Sequence, residues 1–269
     1  MEDAERRGFR DILGNVVALF VGSTAEQRRI PDFLDSARAL VGMHPNHYGE
    51  FISQACSSID NGVNRLSRYA EENAGVEGYA VVGASEIIGP EWKPDNFDSI
   101  MFGDLGGVAI FRITPRLSGL EASERGVVGC VDVHDLDTDN IIVRGDDGFL
   151  YMDGKAVMKY APRAMITDCR ESARRAGLAV SGIDRFVFHT GSKHIFRPLR
   201  TGMERVYGAD FDFERQAPQY LEDSGNNGAV TTLNVFHRAR TDGTIRAGHT
   251  VYMGAVGMGF YRSGLILRP

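Results

Sequence analysis

Apolar residues recur along this chain with two periods. Val16-Val17-Ala18-Leu19-Phe20-Val21 is an unbroken apolar run stopped by Gly22-Ser23-Thr24, the pattern of a strand buried on both faces. Tyr79-Ala80-Val81-Val82-Gly83 repeats it, and Ile183 to Phe188 is a third short run, ending in His189. Ser99 to Phe111 reads as a pair of strands joined by the glycine-rich bend Gly103-Asp104-Leu105-Gly106-Gly107. Between these runs the spacing changes to a helical one. Pro31 opens a helix through Leu40, with Phe33, Leu34, Ala37 and Leu40 on one stripe. Ile59, Val63 and Leu66 stand at i, i+4 and i+7, and Asn73-Ala74-Gly75 closes their helix. Val157, Tyr160, Ala161, Ala164, Met165 and Cys169 form the core face of a long helix over 155–177, stopped by Gly177. Helices are also expected at 1–10, from Phe196 to Tyr207 and from about Ala229, and a closing hairpin over Thr250–Phe260 and Ser263–Arg268. Strand and helix alternate along most of the chain, so layered α/β is the expected class.

Composition narrows the setting. With 269 residues, 43% of them hydrophobic, the chain can bury a full core as one large domain or two fused halves. A net charge of −6 argues against a nucleic-acid surface or an anionic membrane as partner. The three cysteines, Cys56, Cys130 and Cys169, have no paired spacing and point to a reducing, cytoplasmic setting. No apolar run approaches the roughly 20 residues of a membrane helix, and the acidic start does not read as a signal peptide.

Candidate chemistry centres on Gln54-Ala55-Cys56-Ser57-Ser58, at the mouth of the Ile59 helix. A free cysteine is as readily a small buried hydrophobe as a nucleophile. At a helix N-terminus, however, the partial positive charge favours thiolate, which predicts a pKa lowered from about 8.5 into the range of roughly 3.5 to 7.5. Far downstream, His189 ends a strand and Asn226, in Ser224-Gly225-Asn226-Asn227-Gly228, precedes a helix. Cys, His and Asn at the ends of regular elements suit nucleophilic acyl chemistry. Other groups are weaker candidates. Asp135, Asp137 and Asp139 fall at the first, third and fifth positions of a calcium loop, but the sixth is Asn140 where a glycine is wanted. His44 and His47 lack a third ligand, so no metal is expected.

Taken together, the motifs resemble the ketoacyl-acyl carrier protein synthase III branch of the thiolase superfamily, from about Val16 to the C-terminus. Ala55-Cys56-Ser57 resembles its nucleophile motif, and Met101-Phe102-Gly103-Asp104 its glycine bend. Tyr151-Met152-Asp153-Gly154 with Val157-Met158-Lys159-Tyr160 resembles the entry to its second-half helix, and Phe188-His189 and Gly225-Asn226 its catalytic His and Asn. The resemblance implies a thiolase-like fold, two pseudo-repeated βαβαβ halves in five α/β/α/β/α layers with the N-terminal half abbreviated. The halves are expected at 1–111 and 151–269, with a loop-rich 112–150 near the substrate pocket. It implies an acyltransferase that loads an acyl group from a thioester onto Cys56 and condenses it with a malonyl-type extender by decarboxylative Claisen chemistry. His189 and Asn226 would serve the extender, and backbone amides of Cys56, Gly257 and Met258 would form the oxyanion hole. Ile30, Pro31 and Ser192 would contact substrate, the first two across a dimer. No cofactor is implied beyond acyl-CoA or acyl carrier protein as thioester substrate, and the chain would pair as a homodimer or with a homologous subunit. Acyl transfer to an alcohol or amine without decarboxylation, or a non-catalytic partner role, are the alternatives. The chain departs from the family in three places. The family's opening strand and first helix have no counterpart, Asn96 stands where a basic residue is usual, and Thr190-Gly191-Ser192-Lys193 replaces the usual residues after the histidine.

Overall fold

The structure is a computed structural model describing residues 12, 14–23, 30–93, 95, 97–115, 126–135, 141–208 and 210–269; side chains at 30–32 and 97–98 are not described. The helix expected over 1–10, Asn96, and Asp137 and Asp139 of the calcium-like loop lie outside the described residues.

Two four-stranded sheets form the frame. In the first, β2 (Tyr48–Ile52), β1 (Val16–Gly22), β3 (Gly78–Glu86) and β4 (Leu105–Ile113) lie in that order, the first three parallel and β4 antiparallel to β3. The second runs β5 (Gly126–His134), β10 (Tyr261–Arg268), β9 (Val251–Val256), β8 (Arg185–Phe188). Here β8 and β9 are parallel, and β10 is antiparallel to both of its neighbours. A separate hairpin joins β6 (Ile142–Arg144) to β7 (Leu150–Met152).

The layering follows from which helix faces are apolar. Helices α2 (Ser58–Glu72) and α5 (Thr231–Thr241) lie between the sheets, touching strands of both. There Phe20 and Val82 of the first sheet meet Val187, Met253 and Leu265 of the second, with Val63 and Leu66 of α2 among them. Each such fully buried side chain contributes roughly 1.5–3 kcal/mol. Helix α1 (Ile30–Leu40) covers the outer face of β1 and β2. On the far side, α3 (Gly154–Arg175) and α4 (Phe196–Tyr207) cover the second sheet through Met165, Cys169 and Leu199. The five expected layers are therefore present. Asp153 starts α3, its carboxylate accepting from the Lys155 and Ala156 amides, and Gly177 (φ 68°) stands just beyond its end.

Three expectations are corrected. Ser99–Phe111 is not a strand pair: a 3-10 turn over Phe97–Met101 leads into the single strand β4. Residues 112–150 are not merely loop, because Gly126–His134 is a strand paired along β10. Tyr48–Ile52, in the stretch between the Pro31 helix and Gln54 to which the apolar pattern assigned no element, is a strand.

One buried charge site gives a stability prediction. Asp60 of α2 is fully buried, with one carboxylate oxygen accepting from Thr232 Oγ1 at 2.9 Å and the other without a partner. Burial pushes its pKa up to about 7. Between pH 4 and 7 the folded chain keeps a proton that the unfolded chain releases, so stability falls as pH rises through that window. Asp60→Asn should stabilise the fold at pH 8 by up to about 4 kcal/mol, at 1.36 kcal/mol per unit of pKa shift, and so raise the melting temperature there, with the advantage vanishing near pH 4. Thermal unfolding of both proteins from pH 4 to 8 checks this; a difference independent of pH contradicts it.

Candidate active site

Cys56 sits in a single 3-10 turn, Ala55–Ser57, that runs directly into α2. The turn is tied locally. Ser57 N donates to Gln54 O (3.1 Å), Ser58 Oγ donates to Ala55 O (2.8 Å), and Gln54 N donates to Ser58 Oγ (3.1 Å). Ala55 adopts φ 47°, a left-handed conformation that costs of order 1–3 kcal/mol outside glycine and persists only where the surroundings enforce it. The strain turns the chain sharply from β2 and sets the Cys56 side chain on the wall of a cavity of about 230 Å³.

His189 and Asn226 line the same cavity. His189 follows β8, its N–H donating to Gly254 O at 2.8 Å, and is 7% exposed. Asn226 is fixed through its oxygen, which accepts from Gly228 N (3.0 Å) and Thr231 Oγ1 (3.3 Å), so its Nδ2 is left to face a ligand. Gly191 brings the two together. A β-carbon there would lie 2.8 Å from Asn226 Nδ2 and 3.9 Å from His189 Nε2. The glycine bend also finds its purpose here. Asn226 N donates to Met101 O (2.7 Å), Gly103 N to Asn226 O (3.0 Å), and Asn227 Nδ2 to Gly103 O (3.0 Å). A β-carbon on Gly103 would come within 2.4 Å of Ser224 O, so the bend must be glycine to clasp the asparagine turn.

The expected thiolate is not what the structure holds. Burial and the carboxylate of Glu86 push the Cys56 thiol up to about 12, and its own backbone N–H offsets this only in part. Glu86 is a buried residue at the end of β3 whose carboxylate accepts from Ala229 N at 3.2 Å, before α5. Burial pushes His189 down to about 4. At neutral pH the pair is thus a thiol and a neutral imidazole. Any bond formed by the Cys56 sulfur would therefore require its proton to leave during the step, rather than beforehand.

Of the expected oxyanion donors, Gly257 is excluded because its N–H is spent on Tyr261 O at 2.6 Å. Its role is steric. A β-carbon there would come within 2.4 Å of Gln54 O and 3.1 Å of Cys56 N, so only glycine lets this turn approach the Cys56 backbone. Cys56 and Met258, which carry the other two expected donor amides, both line the cavity. Ser192 lies on the cavity wall, where its Oγ also accepts from His194 N at 3.3 Å. The side chains of Ile30 and Pro31 lie outside those described.

The remaining wall is mostly apolar. Trp92 stacks on Phe102 with ring centroids 4.7 Å apart, and Ile142 and Leu150 of the β6–β7 hairpin close one side. Within the segment 112–150, Ile142 and Leu150 thus line the cavity, while β5 belongs to the sheet. Val157, Tyr160 and Ala161 were read as helix core; all three line the cavity, Ala161 being buried in the core as well and Val157 packed against it, as are the later residues of that stripe. Trp92 carried no periodic signal that could have placed it. Among the described residues no cluster of His, Cys, Asp and Glu could hold a metal ion, and no helix is long and apolar enough to cross a membrane.

Known proteins share this arrangement of chain. Residues 173–269 match the family model for the C-terminal part of 3-oxoacyl-[acyl-carrier-protein (ACP)] synthase III. A β-ketoacyl-[acyl-carrier-protein] synthase III of Wolbachia sp. subsp. Brugia malayi is 23% identical over 263 residues, covering 93% of this chain and 76% of the relative. The crystal structure of synthase III from Thermus thermophilus superposes with a TM-score of 0.81 at 22% identity, over 100% of this chain and 81% of that one. The priming β-ketosynthase of the R1128 polyketide pathway superposes with a TM-score of 0.78 at 19% identity, over 99% and 79%.

Proposed function

We propose that this chain, a ketoacyl-acyl carrier protein synthase III-like protein of the thiolase superfamily, is an acyltransferase that loads an acyl group onto Cys56 and condenses it with a malonyl-type thioester. One observation carries the reading: Cys56, His189 and Asn226, from three distant segments, line one largely apolar cavity, and the Asn226 amide is oriented by bonds to its oxygen alone. The similar proteins, acyl-carrier-protein synthases III and a priming ketosynthase, support the same class.

In the first half-reaction the Cys56 sulfur attacks the carbonyl of an acyl-CoA or acyl carrier protein thioester. The carbonyl oxygen becomes an oxyanion held by the Cys56 and Met258 amides, the thiol proton passes by way of His189 to the departing sulfur, and a free thiol leaves. In the second, a malonyl thioester binds with its thioester oxygen against His189 Nε2 and Asn226 Nδ2. Carbon dioxide leaves, the resulting enolate carbon attacks the acyl-Cys56 carbonyl, and the Cys56 thiolate departs and takes up a proton. The balance is acyl-Cys56 plus malonyl thioester plus a proton giving a β-ketoacyl thioester, carbon dioxide and the free thiol. A neutral imidazole suits this, because it donates to the developing enolate without having to lose a proton first. The apolar wall suits a hydrocarbon acyl chain. We place the acceptor on a carrier protein or coenzyme A and the working form as a dimer through the free edge of β2, homomeric or with a homologous subunit, with Ile30 and Pro31 near the partner's pocket.

The test is incubation of the purified chain with acyl-CoA thioesters of graded length and malonyl-carrier protein. Release of carbon dioxide together with a β-ketoacyl product supports condensation. Acyl uptake with transfer to an alcohol or amine and no carbon dioxide contradicts the decarboxylative half, and no uptake with any thioester contradicts the whole.

A further inference from the structure

The turn Gly257–Tyr261, which carries the Met258 amide, is held by a cluster of side chains that the reaction steps do not use. Phe260 in this turn has φ 56°, a conformation that a bulky residue leaves unless its surroundings oppose the change. The ring of Tyr160 opposes it, stacked on the Phe260 ring with centroids 3.9 Å apart and planes 26° from parallel. Both rings line the cavity. Tyr160 is in turn pinned by its hydroxyl, which donates to Asp135 Oδ2 at 2.6 Å. Asp135 also grips the turn itself, its backbone N–H donating to Phe260 O at 3.2 Å. The same Asp135 oxygen forms an ion pair with Arg262 Nε at 2.8 Å, and Arg262 NH1 donates to the buried Asp168 at 2.7 Å. Arg262 stands one residue past Tyr261, so the cluster reaches the turn from both sides.

We propose that Tyr160, anchored by Asp135, is a positioning residue that sets the Met258 turn for oxyanion binding at Cys56. This rests on the proposed acyl transfer, in which the Met258 amide holds the oxyanion. The hydroxyl of Tyr160 points at a carboxylate rather than at substrate, so its effect passes through Phe260 and not through a bond to the reacting atoms. Tyr160→Phe keeps the ring and removes the anchor. Asp135→Asn keeps a polar partner and weakens it.

The experiment compares two reactions of the same sulfur. Acylation of Cys56 by an acyl-CoA passes through an oxyanion, whereas alkylation by iodoacetamide is a direct displacement that builds none. In Tyr160→Phe the single-turnover acylation rate should fall between about tenfold and a hundredfold, as for a donor moved rather than deleted. The iodoacetamide rate should stay within about twofold, in line with a helix and cavity left in place. Adding Asp135→Asn to Tyr160→Phe should cost less than Asp135→Asn costs alone, because the two changes share the Tyr160 hydroxyl link while Asp135→Asn also removes the charge partner of Arg262. Equal loss in both reactions, no loss in either, or losses that multiply would overturn the assignment. A wild-type chain that takes up no acyl group fails at an earlier step and contradicts the proposed function itself, and with it this role.

Discussion

Cys56→Ala is expected to abolish acyl uptake from any thioester, with no other cysteine taking over. Cys169 is completely buried and burial drives its thiol far up. Cys130 lies on β5, away from the cavity, with its thiol also pushed up by burial. Only Cys56 combines a place on the cavity wall, a 3-10 turn opening into a helix and a glycine-bared turn at its backbone amide. The loss should be complete rather than partial, because covalent catalysis has no residual route once the sulfur is gone. Stability should change little, since a half-buried thiol replaced by a methyl group leaves no large cavity. Intact mass after exposure to acyl-CoA, with a melting curve alongside, reads both. Adduct remaining on the variant would place the nucleophile elsewhere.

His189→Ala is expected to separate the two half-reactions. Decarboxylative condensation should fall by about 10²- to 10⁴-fold, the usual range for a positioned proton or hydrogen-bond donor. Self-acylation should persist at a reduced rate, because the thiol can surrender its proton to solvent or to the departing sulfur. The pH profile adds a sign. With His189 near 4 and Cys56 near 12 in the resting protein, neither group changes charge between about pH 5 and 10. Acylation in wild type should therefore lack the rise near pH 6 to 7 that an ordinary imidazole base produces. Carbon dioxide release from malonyl thioester and the rate of acyl uptake, measured on the same variant, check the division. Equal loss of both contradicts it.

The parts of this molecule that depend on local pattern were legible in the sequence. Val16–Gly22 reads as a buried strand because branched side chains crowd it, and α3 reads as a helix because its stripe, its cap Asp153 and its stop Gly177 agree. What failed depends on partners distant in the chain. Gly126–His134 mixes glycine, cysteine and aspartate and becomes a strand by pairing with β10. Tyr48–Ile52 carries a glycine and a glutamate and is a strand because β1 lies beside it. At the site, Cys56, His189 and Asn226 were recognisable by residue type and position at element ends. The state of the thiol was not. The helix-terminal argument lowers its pKa, but burial and Glu86, brought in on β3, outweigh that effect. The direction of the Gly257 amide was equally hidden, since only the turn geometry shows it bonded to Tyr261.

The central claim is that this cavity delivers an acyl group to one sulfur. Peptide mapping by tandem mass spectrometry after incubation with an acyl-CoA tests it most directly. The account predicts an added acyl mass confined to the peptide bearing Cys56, removed on adding malonyl-carrier protein. Acyl mass on Cys130, Cys169 or a lysine, or on no residue at all, would contradict it.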